Sequence, residues 1–301
     1  MAGLVGFGLV NVDIVAVVPA WERDTKATAQ LWFEQIGGPV PVALCAAARL
    51  DGCEATFIGD VGEDAEADFI DHELSSYGVR SSLHRHARLR TSRSMVMLDA
   101  RDGSRTLANH PGDFATRVFS PDEIERVRAA QILHVDARDL EATFHLAQVA
   151  RDTGVRVSWD LGTMRPGRER LFGLCDIIIA SKGGGAGAFK GRALPEDQVR
   201  GFLEAGAAIA AVTLAERGVV VGTRDGSVRT ISAVPVANVK DTCGAGDTFH
   251  GAFLAATLRG ADPFEAAEFA CHAVAHRIRR YGHREGLPTR TDLGGNPLRR
   301  D

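Results

Sequence analysis

The chain has 301 residues, with 39 acidic against 35 basic side chains and a formal net charge of −4. That balance supplies no large positive field, which argues against a nucleic-acid binder, and a 45% hydrophobic content argues against disorder. No apolar run reaches the roughly 18–20 residues a membrane span needs. The five cysteines contain no CxxC pair, which fits a reducing, cytoplasmic compartment better than a disulfide framework or zinc knuckle.

In chain order, residues 4–10 form an apolar run that reads as a buried parallel strand. Residues 43–50 are Ala-rich and suit a tightly packed helix. A strand over 55–58 and an amphipathic helix over 65–77 follow. Residues 95–99 and 105–108 flank an Asp-Gly turn and predict a hairpin. Ser120 before Pro121 predicts a capped helix start. Short apolar runs at 132–135, 155–159, 177–180 and 209–214 are mostly separated by helix-like segments. Such alternation predicts βαβ units around a mainly parallel sheet. A second hairpin is expected over 219–231, and helices over 245–258 and 263–279. The 33 glycines read as turn punctuation, densest at 183–187. Residues 12–36, with Trp21 and Trp32, and residues 93–108 fit a layered sheet poorly. They are expected to leave the body as a small β-sheet lid, or to be ordinary surface hairpins. We read one domain over 1–301.

The chemistry concentrates at Asp241-Thr242-Cys243-Gly244-Ala245-Gly246-Asp247-Thr248-Phe249. A glycine-containing turn runs directly into a long apolar helix. Side chains at Gly244, Ala245 and Gly246 are small, so the orphan N–H groups of the helix start can face an anion closely. A carboxylate at Asp247 would repel phosphate but suits a general base taking a proton from an attacking hydroxyl. Asp247 as a simple helix cap fits the residues equally well. A P-loop is absent, because no GxxxxGK run followed by Ser or Thr occurs. Gly6-Phe7-Gly8 opens no GxGxxG fingerprint, and extended-looking chain follows it.

That segment resembles the DTxGAGDxF signature of the ribokinase-like (PfkB) carbohydrate kinases. Gly37-Gly38, Arg49-Leu50 and Phe57-Ile58-Gly59-Asp60-Val61-Gly62-Glu63-Asp64 resemble the family's amino-terminal signature. Gly6 through Asp13 is similar to its first strand, and Val212-Thr213 through Gly218 to its nucleotide-side strand and turn. The resemblance spans nearly the whole chain. It implies an α/β fold, a three-layer αβα sandwich with a β lid, and ATP- and Mg2+-dependent phosphoryl transfer to a sugar hydroxyl. Asp247 would be the base, and the backbone of Gly244, Ala245 and Gly246 the anion hole. Asp13, Gly37 and Gly38 would bind sugar. Thr213 and Gly218 would line the nucleotide site with Gly244 and Gly246. Asp241 would help hold a monovalent cation such as K+. Lids of this family often pair, which implies a homodimer through the β lid.

Gly103-Ser104-Arg105-Thr106, Asn109-His110-Pro111, His134-Val135-Asp136-Ala137-Arg138 and Gly282 through Pro288 are similar to ketohexokinase or sulfofructose kinase. Arg138, just past a strand end, suits an anionic group or several hydroxyls; pairing with Asp136 or Asp139 suits it as well. Asn109 would offer an amide to a sugar or shape the turn before Pro111. Three positions depart from the family pattern. Val42 stands where an Asn commonly touches sugar, and Ser181-Lys182-Gly183-Gly184-Gly185-Ala186 replaces Asn-x-x-Glu, leaving Lys182 to neutralise phosphate. Ala215 replaces a turn glycine. A nucleoside acceptor, or a degenerate non-catalytic binder, are the alternatives. His84, His86, His134 and His145 show no metal-ligand spacing, and Arg277, Arg279 and Arg280 read as a solvated helix end or as a border of the nucleotide cleft.

Overall fold

The structure is a computed structural model that describes residues 3–51, 53–112 and 117–294. Nine strands form the main sheet. In chain order they are β1 (Leu4–Phe7), β4 (Ala55–Gly62), β5 (Val79–His86), β8 (Ile132–Val135), β9 (Arg156–Leu161), β10 (Ile177–Ser181), β11 (Ile209–Thr213), β12 (Val219–Thr223) and β13 (Val228–Ile231). Their spatial order is β13-β12-β11-β10-β9-β8-β1-β4-β5, and only the β11–β12 and β12–β13 pairings are antiparallel.

Successive residues of a strand face opposite sides of the sheet, and here both sides are apolar. Leu4, Ile177 and Ile179 join one core with helices α1 (Pro39–Asp51), α2 (Ala65–Ser76), α7 (Ala245–Leu258) and α8 (Pro263–Arg277). Val5, Ile178 and Ala180 join the other with α3 (Pro121–Arg128), α4 (Leu140–Asp152) and α6 (Pro195–Glu204). Helices therefore cover both faces, giving the expected αβα sandwich. Helix starts follow local chemistry: Ser120 and Glu123 complete a capping box at α3, and Asp262 and Glu265 another at α8.

The remaining strands, β2 (Asn11–Val18), β3 (Leu31–Gly37), β6 (Ser92–Asp99) and β7 (Arg105–His110), form a separate four-stranded mixed sheet in the order β3-β2-β6-β7. This is the lid, built from two antiparallel hairpins joined by a parallel β2–β6 pairing. Hydrogen bonds stitch the β6–β7 turn to the chain before α7: Thr242 donates to the Gly103 carbonyl from its N–H at 3.2 Å and its hydroxyl at 2.9 Å.

Four expectations change. The first strand ends at Phe7, and residues 8–10 lead into the lid. The 183–187 glycine cluster is helical, within α5 (Lys182–Ala188), capped by the Ser181 hydroxyl accepting from Gly184 N–H at 2.9 Å. Glycine is needed there for packing: a Cβ on Gly184 would overlap the Leu161 carbonyl oxygen, and one on Gly185 the Gln198 amide oxygen. Asn109 lies within β7 and not in a turn. Arg277 is fully buried, so it is no solvated helix end.

Ala215 sits in the left-handed region at φ 54°, where a Cβ is strained. Ala215→Gly relieves about 1 kcal/mol of strain, and the looser unfolded chain offsets part of that. The expected net gain is about 0.5 kcal/mol, read as a higher urea midpoint at constant slope. A lower midpoint would show that the turn is not strained.

Candidate active site

The parallel strands β1, β8, β9, β10 and β11 end at one edge of the main sheet, the edge where open α/β sheets place ligands. At that edge the Asp136 carboxylate accepts from Leu9 N–H and from Arg138 N–H, both at 2.8 Å. It thereby ties the β1 and β8 exits together. Arg168 donates to the carbonyls of Ala137 and Thr163, each at 2.7 Å, and fixes the next loop.

α7 begins at this edge. Its N-cap is Gly244, in the left-handed conformation at φ 71° and with no side-chain cap bond. Asp247 is therefore not the cap. It lies half-buried in the first turn. Burial pushes its carboxyl well above the usual range, and Asp160 adds to that, while Arg105 opposes it. The Asp160 carboxyl is pushed up to about 7, by burial first and then by Asp136. His250, whose Nε2 lies 3.4 Å from Asp160, is held down to about 3 by burial. With that imidazole neutral, the pair is not an ion pair.

Above α7 the strand registers of the lid align one polar row. Gln35, Asp13, Ser94 and Asn109 are cross-strand partners in succession over all four strands. Asn11 Nδ2 donates to Asp13 Oδ1 at 2.5 Å and to Ser94 Oγ at 2.9 Å, and Ser94 Oγ donates to Asn109 Oδ1 at 3.4 Å. Asp13 is buried, and its carboxyl is pushed up to about 6 by that burial, against the opposing hydrogen bond from Asn11. Gly37 closes over it: a Cβ there would lie 2.5 Å from Asp13 Oδ1. Gly38 has φ 107°, and a Cβ would overlap the Leu9 carbonyl. The next row, Phe33, Val15, Val96 and Leu107, is apolar, and Phe33, Val15 and Val96 pack with Cys243 of the α7 turn. Cys243 Sγ approaches Asp13 Oδ2 at 4.0 Å, so the lid's polar row meets the anion cradle.

Arg138 lies farther out, in a pocket whose lining includes Gly8, Asp60, His86, Arg90 and Ser92. Thr213 ends β11, its hydroxyl 3.4 Å from the Ala180 carbonyl, and Gly218 is buried in the following turn at φ 90°. Lys182 is exposed at the start of α5. These three residues belong to a different stretch of the strand-end edge from the lid row. Asp60, His84 and His86 do come together in space, unseen from spacing because the β4–β5 register pairs Asp60 with His84. Asp60 Oδ1 is already bonded to His86 Nε2 and to the Arg117 guanidinium, each at 2.8 Å.

A family model described as pfkB family carbohydrate kinase matches residues 1–290. The chain belongs to that family. It is thus a carbohydrate kinase, an ATP-dependent phosphotransferase. An uncharacterized sugar kinase of Archaeoglobus fulgidus is 27% identical over 260 residues, covering 80% of this chain and 98% of the relative. Mouse ketohexokinase is 25% identical over 289 residues, covering 90% and 94%. The structure of Arabidopsis thaliana ribokinase complexed with ribose and ATP is similar at a TM-score of 0.80 and 26% identity, over 97% of this chain and 98% of that one. These pfkB relatives span several acceptor types, so the resemblance to ketohexokinase and sulfofructose kinase narrows no further here.

Sequence reasoning missed Asn11, Ser94, Gln35, Asp160 and His283. Asp160 was findable, because an Asp at the end of a parallel strand is a site signal. Asn11 was also findable, two residues from Asp13 on the same face of β2, whereas Gln35 and Ser94 were not, since only strand register brings them beside Asp13.

Asp160 gives a pH prediction. Its native pKa of about 7 lies above the ordinary carboxylate value, so between roughly pH 4 and 7 the native state holds a proton that the unfolded chain releases. Its contribution to stability is therefore lost as pH rises through that window. Asp160→Asn does not titrate. Its Tm advantage over the wild type should grow from pH 4 to 7, reach roughly 5 °C, and stay flat above. A constant difference across pH would mean that Asp160 ionises normally.

Proposed function

We propose that this pfkB kinase transfers the γ-phosphoryl of ATP to a hydroxyl of a ketose or related sugar. The lid row Gln35–Asp13–Ser94–Asn109 carries the reading: a line of hydrogen-bonding groups beside a helix-start anion cradle suits a polyhydroxy acceptor. Asp13, Asn109 and the closely approaching backbone of Gly37 and Gly38 hold the sugar, and Arg138 meets its far end. The sugar oxygen attacks phosphorus, its proton passes to Asp247, and the bond to the ADP oxygen breaks. N–H groups of Gly244, Ala245 and Gly246 face the oxygens on which charge builds. Thr213, Gly218 and Lys182 flank the nucleotide.

Magnesium fits this cleft. Asp160 and Asp247 are carboxylates whose pKa values are raised by burial and by a neighbouring carboxylate, and either could face a phosphate-bound ion directly or through water. Bound there, Mg2+ would neutralise phosphate charge. We also take the whole chain as one kinase unit that dimerises through its lid, on whose surface Trp32 and Met95 are exposed.

The test is ADP release with ATP and Mg2+ over fructose, tagatose, sulfofructose, ribose, 2-keto-3-deoxygluconate, adenosine and inosine. Turnover on a ketose is expected. Turnover confined to ribose or to nucleosides would overturn the substrate class, and selectivity for the sulfonated ketose would assign Arg138 to its anionic end.

A further inference from the structure

The family resemblance implies a monovalent cation beside Asp241. The groups present here do not fit one. Asp241 is fully buried and both carboxylate oxygens are engaged. Its Oδ1 accepts from Cys243 N–H at 2.8 Å. Its Oδ2 accepts from Gly282 N–H and from Arg277 Nη2, each at 2.9 Å. A K+ ion sheds water only for a shell of carbonyl and carboxylate oxygens. The nearby Arg280 carbonyl instead accepts from Arg277 Nη1 at 3.0 Å. A guanidinium carries its charge at any working pH and would repel a second cation at that distance.

Arg277 is the last residue of α8, fully buried, with Nε unpartnered. α9 (Gly282–Gly286) folds over it, and a Cβ on Gly286 would lie 2.8 Å from Nη1. Nη2 also faces His283 Nδ1 at 3.3 Å. The His283 ring in turn backs the Gly244 turn, since a Cβ on Gly244 would lie 2.5 Å from His283 Cε1. A fixed positive charge thus sits next to the α7 cradle, one imidazole ring from the Gly244 turn.

We propose that Arg277 is a built-in replacement for the monovalent cation: a positioning residue whose guanidinium holds Asp241 and the Gly244 turn, making the enzyme independent of K+. The inference rests on reading residues 244–247 as the phosphoryl site. Its test therefore includes a readout that needs no turnover.

The wild-type full chain is measured in KCl, NaCl and choline chloride at equal ionic strength, by Tm with and without ADP and by kcat and KM for ATP. Both should agree across salts, kcat within about twofold and Tm within about 1 °C. A saturable rise of Tm or kcat with K+ over choline would overturn the proposal. The Tm series answers even if no sugar is turned over, which separates this failure from failure of the kinase reading. Arg277→Gly should lose roughly tenfold or more in kcat and recover part of it with added guanidinium or K+, which a merely structural role would not give. If Arg277→Gly does not fold, the wild-type salt series decides alone.

Discussion

Asp247→Asn is expected to bind ATP as the wild type does and to lose about a thousandfold or more in kcat. The substitution is nearly isosteric and replaces the proton-accepting carboxylate with a neutral amide. Asp247 is half-buried in the first turn of α7, and burial together with the nearby Asp160 raises its carboxyl well above the usual carboxylate range. A carboxylate with a raised pKa is a stronger proton acceptor than an ordinary one. The wild-type kcat/KM should therefore rise with pH through that raised pKa and then level, and Asp247→Asn should lose the limb. ADP release over pH and calorimetric ATP binding measure the two halves. Near-normal turnover in Asp247→Asn would remove Asp247 from the mechanism. Lost turnover together with lost ATP binding would make it a binding group.

Gly244→Ala should cost nearly as much, for a different reason. Gly244 holds φ 71°, a left-handed conformation that costs a residue with a Cβ about 1–2 kcal/mol. The added methyl would press on His283, which is buried. His283 cannot yield alone, because its backbone N–H donates to Gln35 Oε1 at 2.9 Å and its ring meets Arg277. One methyl thus disturbs the anion cradle, the lid row and the Asp241–Arg277 pair together. Misaimed cradle N–H groups predict a loss of about a hundredfold to a thousandfold in kcat/KM, and the strain predicts a fall of roughly 5 °C in Tm. Wild-type turnover with a lowered Tm would show that the cradle N–H groups do not act on the reaction.

Several features were legible in the chain because their causes are local. The Asp-Gly turn between β6 and β7, the Ser120–Pro121 start of α3 and the apolar runs of the parallel strands each depend on a few neighbouring residues. The signature around Asp247 was legible for the same reason, since a helix start presents its own N–H groups. The glycines at 183–187 were not. Their composition reads as turn, and only the close approach of the Leu161 carbonyl and the Gln198 amide makes a helix there the packed solution.

By itself, then, the sequence determined the alternating α/β pattern, the hairpins of the lid and the residue types at the start of α7. Tertiary structure alone decided which groups share the site. Gln35, Asp13, Ser94 and Asn109 form one row only through the register of four strands, and a slip of one residue would turn each to the other face. Arg277 is the sharpest case. Near Arg279 and Arg280 at a helix end, it has the composition of a solvated charge. Burial against Asp241, 36 residues away in sequence, makes it an internal cation. Burial and charge pairing depend on what the rest of the chain brings to a residue, and so cannot be read from its neighbours.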